Sequence, residues 1–159
     1  MEEAAWRGTL EEVKRLVADE SDIDATFALH NSCANGRLEI AAFLIEAGAD
    51  VNKLDDNGCT PLYYCCLEGH VEIARLLLQK GANPNVEMGQ LTILHESCYH
   101  QRIEIIKLLL IYKADSWVLD YRGRTAFSYL TRQQCEELAV YFNRREAAAM
   151  AFLQAFVPS

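Results

Sequence analysis

Six cysteines (Cys33, Cys59, Cys65, Cys66, Cys98, Cys135) and four histidines (His30, His70, His95, His100) are the residues in which nucleophilic or metal chemistry would first be sought. A thiol beside an imidazole can become a nucleophile, and Cys/His sets of four hold zinc. The spacing argues otherwise. Cys33, Cys66 and Cys98 each stand four residues after a leucine (Leu29, Leu62, Leu94), so they follow a longer pattern rather than converge. Helices that pack side by side lie about 8–10 Å apart. A disulfide needs Cα atoms within about 7 Å, and a single zinc would strain to gather such a column at roughly 2.3 Å per bond. These three are expected as small buried hydrophobes. Cys65 and Cys66 are sequential and cannot share one helix face. Cys59 lies near a hairpin and is expected to be the most reactive thiol, and Cys135 falls in the terminal unit. Glu72 and Glu104 recur at equal positions, which suits solvated surface rather than an acid–base pair. No G-x-x-x-x-G-K-[ST], G-x-S-x-G or H-E-x-x-H run occurs. The expectation is a chain without catalytic residues, metal or cofactor.

The elements that carry these residues repeat. Leu29–Asn52 reads LHNSCANGRLEIAAFLIEAGADVN, Leu62–Asn85 reads LYYCCLEGHVEIARLLLQKGANPN, and Leu94–Trp117 reads LHESCYHQRIEIIKLLLIYKADSW. The offset is 33 residues, then 32. A degenerate copy spans Phe127–Asn143. A fixed period of this size marks a stacked array. Each unit reads as two antiparallel helices. Thr60 can cap the first, Pro61 sits in its first turn, and Gly69 closes it. The second is expected from about Val71 to Lys80, ended by Gly81 as Gly48 ends its counterpart. Its run Ile73–Leu78 is apolar nearly all round, so neighbouring units must cover it.

The blocks Gly58-Cys59-Thr60-Pro61-Leu62, Gly69-His70-Val71-Glu72-Ile73 and Gly81-Ala82-Asn83, with their counterparts, resemble the ankyrin repeat over about residues 4 to 143. The family motif T-P-L-H-x-A is partly present as Thr60-Pro61-Leu62-Tyr63 and Thr92-Ile93-Leu94-His95. The resemblance implies an all-α solenoid of helix-turn-helix units joined by β-hairpin loops, with short inner helices and hairpin tips lining a concave groove. It places Cys33, Cys66 and Cys98 where the family usually has Ala. It gives His30 and His95 hydrogen bonding between neighbouring loops, and puts His70 where the family places a residue after the inter-helix glycine. One domain over 1–159 is expected. Residues 1–24 form a capping unit, 25–54, 55–86 and 87–119 form full units, 120–145 a degenerate one, and 146–159 an extra helix (Ala147–Phe156). In the first unit a curtailed helix is expected over about Glu2–Arg7. Glu12 and Arg15 stand where later units have Ile40/Ile73 and Phe43/Leu76, as a water-facing end requires.

Three departures stand out. The link from Asp24 to Leu29 is short, so the first hairpin is trimmed. Lys113 replaces Gly48 and Gly81 at a helix end, where a left-handed backbone would cost a non-glycine on the order of 1 kcal/mol. Trp117 replaces Asn52 and Asn85, residues that can bond to turn backbone. Its ring is expected either to pack on a neighbour or to be presented.

The chain has 159 residues, 51% hydrophobic and 24% charged, with a net charge of -8, which fits a folded protein. No Lys/Arg run offers a phosphate-binding face, so no nucleic-acid partner is expected. Acid is concentrated at the start, with eight Asp/Glu against three Lys/Arg up to Asp24. Met1 is followed by Glu2 and Glu3 rather than a secretory leader, and Ala147–Val157 is too short to span a bilayer. A cytoplasmic or nuclear monomer without membrane insertion is expected.

Function then falls to positions the repeat leaves free. On inner helices these include Asn31, Ala34, Tyr64, Leu67, Glu68, Glu96, Tyr99 and His100. On the tips they include Leu54, Asp55, Met88, Gln90, Leu91, Tyr121 and Arg122. Tyr64, Leu67, Glu68, Met88, Glu96, Tyr99, His100, Trp117, Tyr121 and Arg122 are the candidates for binding a partner protein, with Tyr64, Leu67 and Tyr99 as a possible apolar stripe. An inhibitory or regulatory subunit acting on an enzyme such as a kinase, and a substrate-recruiting domain of a larger protein, are the alternatives. The resemblance also implies that Asn52 and Asn85 are candidate hydroxylation sites.

Overall fold

The computed structural model describes residues 10–18 and 25–143. The helices expected over about Glu2–Arg7 and Ala147–Phe156 lie outside the described residues. In chain order the elements are α1 (Leu10–Ala18), α2 (Ala25–Ala34), α3 (Leu38–Glu46), α4 (Pro61–Glu68) and α5 (Val71–Gln79). They continue with β1 (Glu87–Met88), β2 (Leu91–Thr92), α6 (Ile93–Tyr99), α7 (Ile103–Ile111), a 3-10 turn (Ala126–Tyr129) and α8 (Arg132–Asn143). The helices pair as α2/α3, α4/α5 and α6/α7. The inner helices α2, α4 and α6 lie side by side and lead to the 3-10 turn. The outer helices α1, α3, α5 and α7 form a second row.

Several starts and stops have a local cause. Thr60 accepts the Tyr63 amide at the start of α4, where Pro61 fills the first helical position. Thr92 and His95 cap α6 reciprocally, side chain to backbone in both directions. Lys113 has φ 66°, in the left-handed region that Gly48 and Gly81 occupy at 95° and 91°. A second residue does the same. Gln101 has φ 56° where Gly36 and Gly69 stand in the earlier units.

Leu29, Leu62 and Leu94 are fully buried, and so are Leu44, Leu77 and Leu109 on the outer helices. They form one continuous core through the stack. On α1, Val13 joins that core while Glu12 and Arg15 are exposed. Among the described residues only one tip forms a strand ladder, with Glu87 opposite Thr92 and Met88 opposite Leu91. Two other tips are tight turns instead. The Asp55 amide donates to the Cys59 carbonyl at 3.0 Å, and the Asp120 amide to the Arg124 carbonyl at 2.8 Å. In both, the aspartate carboxylate gathers the amides that a strand partner would otherwise take.

Candidate functional site

Side chains cross from each unit to the next and fix the surface that they leave open. His30 Nε2 lies 3.0 Å from the Cys59 carbonyl, and His95 Nε2 lies 3.2 Å from the Arg124 carbonyl. Thr92 donates its amide to His95 Nδ1, so Nε2 carries the proton that reaches Arg124. His70 Nε2 lies 3.3 Å from the Ala34 carbonyl, and the Arg102 guanidinium donates twice to the Leu67 carbonyl. Both side chains lie over a glycine. A Cβ on Gly36 would stand 2.5 Å from the His70 ring, and one on Gly69 would stand 3.3 Å from Arg102. The side-chain amide of Asn52 donates to the Gly81 carbonyl and accepts from the Asn83 amide. Asn85 repeats this with the Lys113 carbonyl and the Asp115 amide. The two asparagines expected to hold turn backbone thus hold that of the following unit.

The cysteines serve packing. All six thiols are free and buried. Burial pushes the Cys65, Cys66, Cys98 and Cys135 thiols up, away from the thiolate. Cys59, expected to be the most reactive, is also buried, with its thiol pushed up by the same cause. The tip folds back on itself because Asp55 Oδ1 accepts the Asn57 and Cys59 amides, which turns Cys59 inward.

Inner-helix candidates differ in exposure. Tyr64 is half-buried and its hydroxyl donates to Asp55 Oδ2 at 2.6 Å. Leu67 is half-buried, Glu68 exposed, and Tyr99 64% exposed with its ring edge-on to Tyr129 and His100. His100 lies 3.7 Å from half-buried Glu96. Met88 is half-buried within β1. Tyr64, Leu67 and Tyr99 therefore do not present one open stripe, because the Asp55 bond draws Tyr64 toward its own tip. That Asp–Tyr pairing, nine residues apart, was not foreseen from sequence. Its second copy, Asp120 with Tyr129, was the available signal.

Among the described residues, the last tip groups three exposed large apolar side chains. Trp117, Leu119 and Tyr121 are 59%, 56% and 60% exposed, alternating with half-buried Val118 and buried Asp120. The Arg122 guanidinium sits 5.1 Å from the Tyr121 ring centre. The matching positions at the earlier tip are Asn52, Leu54, Asp56 and Asn57, counted back from Thr60 as these are from Thr125. Beneath the row, Asp120 Oδ1 accepts the Arg122 and Arg124 amides, and Oδ2 accepts from Tyr129 and Arg124. Burial works to raise the Asp120 carboxyl, but the Tyr129 hydroxyl, the two amides and the Arg124 guanidinium outweigh it and hold the group well below the usual carboxylate range.

Stacked helical hairpins locked through Thr, His and Asn at a fixed period are one side of the comparison with known proteins. On the other, a family model described as ankyrin repeats (3 copies) matches residues 1–88, and a second, ankyrin repeats (many copies), matches residues 68–110. The chain belongs to the ankyrin repeat family. Ankyrin repeats are protein–protein interaction modules and generally not catalysts. Among similar proteins is the mouse 26S proteasome non-ATPase regulatory subunit 10, 43% identical over 63 residues, which are 36% of this chain and 27% of that protein. The Hydra vulgaris tyrosine-protein kinase HTK16 is 35% identical over 107 residues, 65% of this chain and 14% of the kinase. The ankyrin repeat and LEM domain-containing protein 1 homolog of Caenorhabditis elegans is 43% identical over 125 residues, 79% of this chain and 13% of that protein. This ankyrin chain thus spans about a quarter or less of these relatives. Among the described residues, no helix is long and apolar enough to cross a membrane.

Proposed function

We propose that this ankyrin stack is a binding module that grips a partner protein through the last tip and the inner-helix groove, and performs no catalysis of its own. The observation that carries this reading is the row Trp117, Leu119, Tyr121 and Arg122, held above buried Asp120. Aromatic residues and Arg dominate binding energy at protein interfaces. A tip fixed beforehand by four hydrogen bonds to one carboxylate loses little freedom on docking. Tyr99, Glu68 and His100 extend the surface along the inner helices, and Met88 and Glu96 lie between.

Affinity capture from the native source, comparing wild type with Trp117→Ala/Tyr121→Ala, tests the reading. The double variant is expected to lose the captured partner while keeping its melting temperature. Undiminished capture would clear the tip of this role. Tyr64→Ala/Tyr99→Ala asks the same of the groove.

A regulatory role is the second reading, favoured by the likeness to a proteasome regulatory subunit. In that setting the partner is an enzyme whose activity or substrate supply the stack controls. Addition to a kinase panel tests the inhibitory form, and absence of any effect counts against it. The likeness to small parts of a kinase and of a LEM-domain protein supports a recruiting domain within a longer chain. Hydroxylation at Asn52 or Asn85 belongs to the same reading, since both amides lie at exposed joints between units. Intact mass after treatment with an asparaginyl oxygenase tests it.

A further inference from the structure

An apolar position recurs on the hairpin tips. Leu54 and Leu119 stand six residues before Thr60 and Thr125, and each directly precedes the aspartate that ties its tip. Both are exposed, at 52% and 56%. The tip between them is a two-stranded ladder and one residue shorter, counted from Asn85 to Thr92 against Asn52 to Thr60. Its register sets Met88 opposite Leu91, so this half-buried pair shares one face of the ladder. The roots of the three tips are bonded in series, through Asn52 to Gly81 and Asn83 and through Asn85 to Lys113 and Asp115. The tips therefore stand in a row, one per unit, each with an apolar group open to water.

Spacing and charge select what can cover such a row. Units built of packed helices follow one another at about 8–10 Å. A helix advances about 10.5 Å in seven residues, so one of its faces meets each tip once per heptad. An extended strand returns the same face at about 7 Å and then about 14 Å, and falls out of step by the second tip. The exposed charges of the tips are Asp50, Asp56, Glu87 and Asp115 against Lys53 and Arg122. Among the described residues none of these four acids has a Lys or Arg partner, whereas on the outer helices α5 and α7 Glu72 is matched by Arg75 and Glu104 by Lys107. The uncompensated acid of the tips complements a basic flank.

We propose that the partner docks as a basic amphipathic helix laid across the three tips, its apolar stripe meeting Leu54, the Met88–Leu91 pair and Leu119 at successive heptads. This rests on the protein-binding reading and names the form of partner that the tips take. An amphipathic helix engages such a row through anchors three, four and seven residues apart. Its Lys and Arg flanks face the acids of the tips, which steers the approach and fixes its register. The surface thus extends past the last tip to Leu54, where no aromatic ring stands.

The test is a titration of the full chain, followed by amide NMR, with a synthetic peptide of three heptads that carries Leu at the a and d positions and Lys or Gln elsewhere. Saturable shifts are expected at all three tips together. Leu54→Ser/Leu119→Ser, at two exposed positions, should keep its melting temperature and weaken binding at least about fivefold. Ile111→Ser, exposed on outer helix α7, should leave binding unchanged. An isomer of the same composition with Leu at every second residue should bind at least about fivefold more weakly, and a peptide with Glu in place of Lys should give no saturable response. Equal binding of the isomer, undiminished binding in Leu54→Ser/Leu119→Ser, or shifts confined to one tip overturns the helix. An acidic peptide that binds as tightly overturns the basic assignment. If the peptide fails while partner capture still depends on Trp117 and Tyr121, the helix is overturned and the protein-binding reading stands. If capture ignores those two residues while the peptide still bridges the tips, the helix stands and the last tip loses its place as the main grip.

Discussion

Lys113 and Gln101 hold left-handed backbone at φ 66° and 56°, where every equivalent position in the other full units is glycine. A side chain there costs on the order of 1 kcal/mol. Nothing lies within 4 Å of the Cβ positions at Gly48 and Gly81, so the strain is that of the backbone and not of crowding. Lys113→Gly should therefore raise stability by about 1 kcal/mol, read as a higher urea midpoint with an unchanged slope. Asp120 makes a pH prediction. Its carboxyl titrates well below the usual range when folded, against about 3.9 in an unfolded chain. A group lowered in this way contributes stability above its unfolded value and loses it as pH falls toward the folded one. Urea midpoints should drop as pH goes from 5 to 3, and Asp120→Asn should be less stable at pH 7 and lose less over that interval. A parallel decline in both proteins would remove Asp120 from the account.

At the level of elements, joints between units depend on single side chains that reach across. Asn52 and Asn85 each make two bonds to the next unit's backbone. Asn85→Ala should cost about 1–2 kcal/mol in thermal or urea unfolding, because it leaves one amide and one carbonyl with water instead of a fixed partner. The cysteine column gives the complementary result. No thiol should label selectively at neutral pH in the folded protein, and all six should react together once urea unfolds it. Selective labelling of Cys59 in native buffer would contradict the inward turn of its tip. Much of this was legible beforehand. The period placed Leu29, Leu62 and Leu94 in register, the Thr-Pro pair started α4, and Lys113 was marked by its equivalence to two glycines. The Asp–Tyr tie was not, because it joins a tip to a helix nine residues later and depends on which way the tip folds. Exposure of Trp117 was left open for the same reason: only the bent backbone beneath Asp120 decides which alternate residues face out.

For the whole molecule, the stack is polarised along its length. The first unit carries exposed Glu12 and Arg15, the third inner helix carries half-buried Glu96 facing His100, and the last tip presents aromatics with Arg122. A partner lying along the groove would meet acid at its centre and apolar surface at one end. The outer helices α5 and α7 are buttresses in this arrangement and should not be touched. Hydrogen–deuterium exchange of the stack, free and saturated with its captured partner, tests that most directly. Protection is expected at Trp117–Arg124 and along α4 and α6, with α5 and α7 unchanged. Protection confined to α5 and α7, with the last tip exchanging as in the free protein, would contradict the account.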